Sequence, residues 1–279
     1  MRSWVSQSVG EVEVSDATFS GRLLWLFAVA GVMAVSGCSV RSADSFTLVT
    51  ELPPGFKFKG EASYVPRTGE SCTVPVREGR NYPGKKIFKQ ELSNEAQTAY
   101  FEVPLYSNEG GCPLVLYNFG YQVDAKYGAD RLDLGRAFTG ISFRDGSAEA
   151  PSPPPVLVLQ KRCEWLFRTA GPDRYIVKIL KCKSVESLDQ ASDSDVKGPM
   201  QRAQFARKTI KVVFSIAKEE TPYMGDTWVK FPEGWKRCMG KSLADAYAFC
   251  RGNTTDFKPF KMPDGRDCTV YPNCTGQGQ

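Results

Sequence analysis

The sequence predicts a mainly β fold of one or two disulfide-tied, sandwich-like modules, with a short helix in the C-terminal half. Three observations carry this expectation. Short stretches alternate apolar and polar residues between Gly-, Pro- and Asn-rich turns. The chain has nine cysteines. Only one segment combines helical spacing with helix caps.

In chain order, "GFKFKGEASYV" alternates from Phe56 to Val65, as a half-buried strand does. "TAYFEVPLY" and "CPLVLYNFGYQV" flank the turn "SNEGG" and read as a hairpin. "RAFTGISFR", Arg136 to Arg144, is a further strand, and "VLVLQ" and "KTIKVVFSI", Lys208 to Ile216, follow later. Between them "DGSAEAPSPPP", Asp145 to Pro155, is a Pro/Ser/Ala-rich stretch that marks a boundary. The expected modules are thus 46–147 and 156–279, joined by a linker at 148–155. "SLDQASDSDVKGP", Ser187 to Pro199, reads as a polar loop. The helix follows Ser242 as cap, with Asp245 three residues on and Gly252 past its end. Leu243, Ala246, Tyr247 and Cys250 share its apolar face.

"QKRCEWLFRTAGPDRYIVKILKCK" is a second hairpin, turning at Pro172 and Asp173. Folding there sets Cys163 opposite Cys182, Trp165 opposite Leu180, and Glu164 opposite Lys181. Directly opposed Cβ atoms lie about 4.5–5.5 Å apart, close to disulfide range. The expected pair is therefore Cys163–Cys182. The pairing among Cys72, Cys112, Cys238, Cys250, Cys268 and Cys274 stays open at this level, because many connectivities are compatible with the spacing.

The most apolar run, "LLWLFAVAGVMAVSGCSV" from Leu23 to Val40, explains the ninth cysteine. Arg22 stands at its head, an apolar stretch follows, and the small residues Ser36 and Gly37 precede Cys38, which describes a secretory signal. The run is shorter than the roughly 20 apolar residues of a spanning helix. "VSGC" resembles the lipobox of bacterial lipoproteins. That resemblance implies that residues 1–37 are removed and that Cys38 becomes the first residue, carrying diacylglycerol on its sulfur and an acyl group such as palmitate on its amino terminus. Residues 38–45 are then a short lipidated tether to a membrane. Glu11, Glu13 and Asp16 are unusual in such a leader and point to a translation start downstream of Met1. With Cys38 committed to lipid, the remaining cysteines are even in number, as expected for disulfides in an oxidising compartment.

Composition narrows the chemistry. The sequence contains no histidine, which removes Ser-His-Asp and Cys-His hydrolysis and histidine general bases. No C-x-x-C pair occurs, and no histidine completes a mixed zinc site, so neither metal nor other cofactor is expected. "GKSLADAY" lacks the glycine spacing of a phosphate-binding loop. Asp130 and Asp133 in "GADRLDLG" read as solvated loop carboxylates, and the expectation is a protein without catalytic residues. The formal charge is +5, and loss of the leader raises it by one, which favours anionic partners but forms no run suited to nucleic acid.

"ETPYMGDTWVKFPEGW" carries Tyr223, Met224, Trp228, Phe231 and Trp235 in a loop-rich setting. Tyr, Trp and Met are enriched at interface cores, so Tyr223, Met224, Trp228 and Trp235 are the candidate partner-binding residues. The alternative is that these rings fill a local core between disulfides.

On the "VSGC" site and an exported β body without catalytic residues, the chain is similar to the periplasmic lipoprotein immunity proteins that protect bacteria from type VI secretion lipase effectors. The resemblance implies a steric inhibitor of a secreted lipase or phospholipase. Ser39, rather than Asp, follows the lipidated cysteine, which implies an outer-membrane location facing the periplasm. Two other readings stand beside it: a structural or assembly lipoprotein of the envelope or of a secretion machine, and a carboxylate-based hydrolase of envelope glycan.

Overall fold

The computed structural model describes residues 44–72, 76–77, 80–81, 84–130, 133–146, 152–185, 198–240 and 248–274. The leader and Cys38 lie outside these. In chain order the strands are β1 (Ser45–Leu52), β2 (Phe56–Pro66), β3 (Val76–Arg77), β4 (Arg80–Asn81), β5 (Lys85–Gln90), β6 (Gln97–Pro104), β7 (Tyr106–Glu109), β8 (Cys112–Lys126) and β9 (Leu134–Arg144). They continue as β10 (Val156–Ala170), β11 (Tyr175–Ser184), β12 (Met200–Gln201), β13 (Thr209–Ile216), β14 (Thr221–Pro222), β15 (Trp228–Phe231), β16 (Gly234–Arg237), β17 (Phe260–Lys261) and β18 (Asp267–Cys268). Short 3-10 turns occupy Arg202–Phe205 and Gly225–Thr227. Among the described residues no helix is long and apolar enough to cross a membrane.

The fold is therefore mainly β, as the alternation predicts. An eight-stranded sheet runs β18-β17-β11-β10-β13-β1-β6, with β14 on β10. A six-stranded sheet runs β12-β9-β8-β2-β5, with β7 on β8. The expected helix falls mostly on residues 241–247, outside the described residues. Its far end is not helical: Ala248 and Arg251 have φ of 45° and 46°, a left-handed conformation that a continuing helix does not tolerate.

The two expected modules are one body, since the described residues between Asp44 and Cys274 fall in a single compact unit. β1 lies between β6 and β13, so strands from before the Pro-rich stretch complete a sheet made by strands from beyond it. Leu48 sits opposite Ile210 and Thr50 opposite Val212, in parallel. Phe46, Leu48, Phe119 and Tyr121 share one apolar cluster with Leu159, Ile210, Val212 and Phe214. A Pro/Ser-rich composition reports that a connection is exposed, not that it divides two cores. Here the connection carries the chain from β9 in one sheet to β10 in the other.

β8 shows how pattern becomes packing. Leu114 and Leu116 face the core, and so do Phe119, Tyr121, Val123 and Ala125, although the two sets are out of phase for a regular strand. A bulge reconciles them: Ser63 pairs with Asn118 but Tyr64 with Leu116, leaving Tyr117 as the extra residue, pointing outward. The "SNEGG" hairpin forms only through β7, which pairs Tyr106 with Val115 and Glu109 with Cys112. The preceding β6 belongs to the other sheet, because the chain changes sheets at the buried Leu105.

Four disulfides tie the body: Cys72–Cys112, Cys163–Cys182, Cys238–Cys250 and Cys268–Cys274. The β10–β11 hairpin has the expected register, with Cys163 opposite Cys182, Glu164 opposite Lys181 and Trp165 opposite Leu180. A second apolar cluster holds the C-terminal part, built from Phe167, Ile176, Trp228, Phe260, Cys268 and Tyr271.

Candidate binding surface

The aromatic segment at 220–235 divides. Tyr223 and Met224 are on the surface, 48% and 38% exposed. Trp228 is 3% exposed, its ring 5.0 Å from Phe167 and 5.2 Å from Phe260 between centroids. Trp235 packs half-buried against the same cluster, and its backbone pairs with Tyr271 at 2.8 and 2.9 Å. Trp228 therefore belongs to the core between the C-terminal disulfides, which corrects its expected role at an interface, whereas Trp235 lies at the margin of that core. The reason is position: two short strands, β15 and β16, fold back so that these rings meet Phe167.

The carboxylates singled out in sequence take a structural place. Asp133 accepts from the Asp130 backbone N–H at 3.0 Å, and the Tyr127 N–H donates to the Asp133 carbonyl at 3.0 Å, which shapes the β8–β9 turn. Glu220 accepts from Lys178 Nζ at 2.6 Å and from the Tyr271 hydroxyl. Burial, then that carboxylate, holds the Tyr271 phenol far above its ordinary range. Among the described residues no group of three His, Cys, Asp or Glu side chains is arranged to hold a metal ion.

A different surface gathers charge. Alternation along β2 turns Phe56, Phe58, Gly60 and Ala62 inward, and Lys57, Lys59 and Glu61 outward. Pairing with β8, β9 and β5 then builds rows across the outer face of the six-stranded sheet. The first row is Arg136, Asp124 and Lys57. The second is Phe138, Gln122, Lys59 and Lys89. The third is Gly140, Gly120, Glu61 and Ile87. A groove of about 230 Å³ opens here, and its charged lining is four cations, Lys57, Lys59, Lys89 and Arg136, against two carboxylates, Asp124 and Glu91.

Asp124 organises the first row. It is 2% exposed and accepts from Arg136 Nε and Gln122 Nε2, each at 2.8 Å, with Lys57 Nζ at 3.1 Å. Burial pushes its carboxyl upward, but the hydrogen bonds from Arg136, Lys57 and Gln122 outweigh it and hold the group below the usual carboxylate range. The carboxylate is thus neutralised twice over.

Lys59 and Lys89 in the second row stand directly opposite each other, and among the described residues neither forms an ion pair. Like charges in that relation cost a sheet stability. Phe138, at the other end of the row, is 66% exposed. In the third row the facing Gly120 and Gly140 present no side chains of their own beside Phe138, and the Asn118 amide packs alongside them. Lys85 neutralises Glu61 at the margin. The groove is net cationic, and beside it lie the exposed Phe138 and the glycine pair, with the Asn118 amide against the glycines.

No protein-family model matches the chain, and neither does any curated protein or solved structure. The surface has to be read from its own chemistry. Sequence reading does not single out Lys59, Lys89, Asp124, Arg136 or Phe138. The available signal was the alternation in "KFKGE", which marks Lys57 and Lys59 as outward without naming their neighbours.

A second exposed area lies on the outer face of the eight-stranded sheet, where Tyr100, Val156 and Val158 are 72%, 48% and 42% exposed. The Lys211–Glu51 ion pair crosses it.

Proposed function

We propose that the protein is a lipid-anchored binding protein of the bacterial envelope, held at the outer membrane and facing the periplasm. Its ligand is a secreted lipase or phospholipase effector, which it inhibits by covering the entrance to the active site. The observation that carries this reading is the open cationic groove on the outer face of the six-stranded sheet, on a body braced by four disulfides. A preformed surface loses little conformational entropy on docking, and that favours tight, rigid association. The "VSGC" leader and an oxidised set of cysteines agree with an exported life. The histidine-free composition agrees with a binder better than with a hydrolase.

Inhibition on this reading is steric, and the lipid anchor holds the inhibitor where the effector meets its substrate. One acyl chain binds a membrane only marginally, whereas several chains anchor stably.

Deletion of the gene in its host tests the proposal. The expected result is poisoning by sibling cells that disappears when the gene for the cognate lipase is also deleted. Healthy growth of the deletion strain under contact-dependent competition would sink it and leave a structural envelope role.

A further inference from the structure

We infer that the outer face of the six-stranded sheet is the docking surface, and that it takes an acidic segment of a partner protein. A carboxylate of that segment sits between Lys59 and Lys89, and the chain beside it crosses the glycine pair against Phe138. This rests on the reading of the body as a protein binder and adds to it the face and the chemistry of the ligand.

Three observations lead there. The first is charge. Asp124 already has Lys57 and Arg136 for itself, and Glu61 has Lys85, whereas Lys59 and Lys89 face each other across β2 and β5 without an ion-pair partner among the described residues. An anion placed between them turns a repulsive cross-strand pair into two attractive contacts. The second is shape. A groove of about 230 Å³ has room for one or two acidic side chains, and Gly120 opposite Gly140 adds no side chain of its own beside it, with the Asn118 amide alongside as a group that can hydrogen-bond a crossing backbone. Phe138, 66% exposed at the end of the same row, provides an aromatic anchor of the kind that concentrates binding energy.

The third observation separates a protein from an anionic membrane as the source of the carboxylate or phosphate. The chain enters the described body at Asp44 and runs along β1 from Ser45 to Leu52 before turning into β2. The groove lies at the Leu52 end, where Lys126 N–H bonds the Gly55 carbonyl at 2.9 Å and Phe56 pairs with Ala125. At roughly 3.3 Å per residue, the length of β1 sets the groove about 25 Å from the point where the anchored chain enters. That separation along the strand favours a protein ligand over the lipid to which the chain would be anchored.

The test uses the purified protein without its leader, an oligo-glutamate peptide as probe, and amide chemical-shift mapping at low ionic strength. The expected shifts are confined to β2, β5, β8 and β9. K59E/K89E is expected to weaken binding at least about tenfold, while K181E/K218E, which makes the same charge change elsewhere, changes it less than about twofold. Lys59→Glu alone faces Lys89 with the opposite charge; it is expected to raise the unfolding midpoint while weakening the peptide, a combination that damage to the fold does not produce. Equal losses in both double variants, dispersed shifts, or no binding would overturn the assignment. So would binding to phosphatidylglycerol vesicles, in place of the peptide, that is lost in K59E/K89E.

The host assay separates this inference from the proposed function. A folded K59E/K89E protein that no longer protects supports the docking surface. Full protection by that variant overturns the surface and leaves the inhibitor reading standing. A deletion strain that needs no protection sinks the inhibitor reading whatever the peptide does.

Discussion

Asp124→Asn is the sharpest test of how the groove is built. The amide has the same shape and retains one carbonyl acceptor, so it isolates charge and donor direction from packing. In the parent, the 2%-exposed carboxylate takes Arg136 Nε at 2.8 Å and Lys57 Nζ at 3.1 Å. The variant loses the charge from both contacts and can turn an NH₂ toward a cation. Hydrogen bonds to charged groups contribute about 1.5–3 kcal/mol each. The Lys57 and Arg136 side chains are 35% and 54% exposed, so water recovers part of that when they are released. The net cost should be about 2–3 kcal/mol at pH 7, and for a body of this size that corresponds to a midpoint roughly 5–10 °C lower.

The pH dependence carries the sign. The folded carboxyl is held below its ordinary value near 3.8. Its contribution is complete above that value and is lost as pH falls through the lower folded pKa. The gap between parent and Asp124→Asn should therefore narrow by as much as about 1 kcal/mol between pH 7 and pH 3. Urea unfolding followed by tryptophan fluorescence at the two pH values measures it. A variant within about 0.5 kcal/mol of the parent at pH 7, or a gap that widens in acid, would refute the reasoning.

Three further outcomes follow from the fold and from the leader. C163A/C182A should lose about 3 kcal/mol in denaturant unfolding, from opening a loop with a separation of 19 residues; a loss under about 1 kcal/mol would mean that the hairpin alone fixes this register. Trp228→Ala should cost about 3–5 kcal/mol because it empties the centre of the second cluster. Tyr223→Ala should stay within about 0.5 kcal/mol of the parent, and equal effects would contradict the division of the aromatic segment. Cys38→Ser should leave an unlipidated precursor, and normal palmitate labelling of that variant would refute the lipid site.

The legible features were local ones. The β10–β11 hairpin could be derived down to its disulfide, because a turn at Pro172–Asp173 and strict alternation set which residues oppose each other. The outward position of Lys57 and Lys59 was equally contained in the "KFKGE" alternation. The end of the C-terminal helical pattern misled, since Ala248 and Arg251 adopt positive φ despite a good sequence pattern.

What no local rule reaches is which strand lies beside which. β1 pairs in parallel with β13 across more than half the chain, and that pairing merges two apparent modules into one core. The same long-range pairing sets Lys89 opposite Lys59 and Arg136 beside Asp124, and it gives Trp228 to Phe167 and Phe260 instead of to solvent. Alternation and turns act over a few residues, so the sequence by itself determines which face of each strand is apolar and where the chain reverses. Burial of those faces against one another is a property of the whole body, and only the tertiary structure decides which side chains become neighbours in the groove.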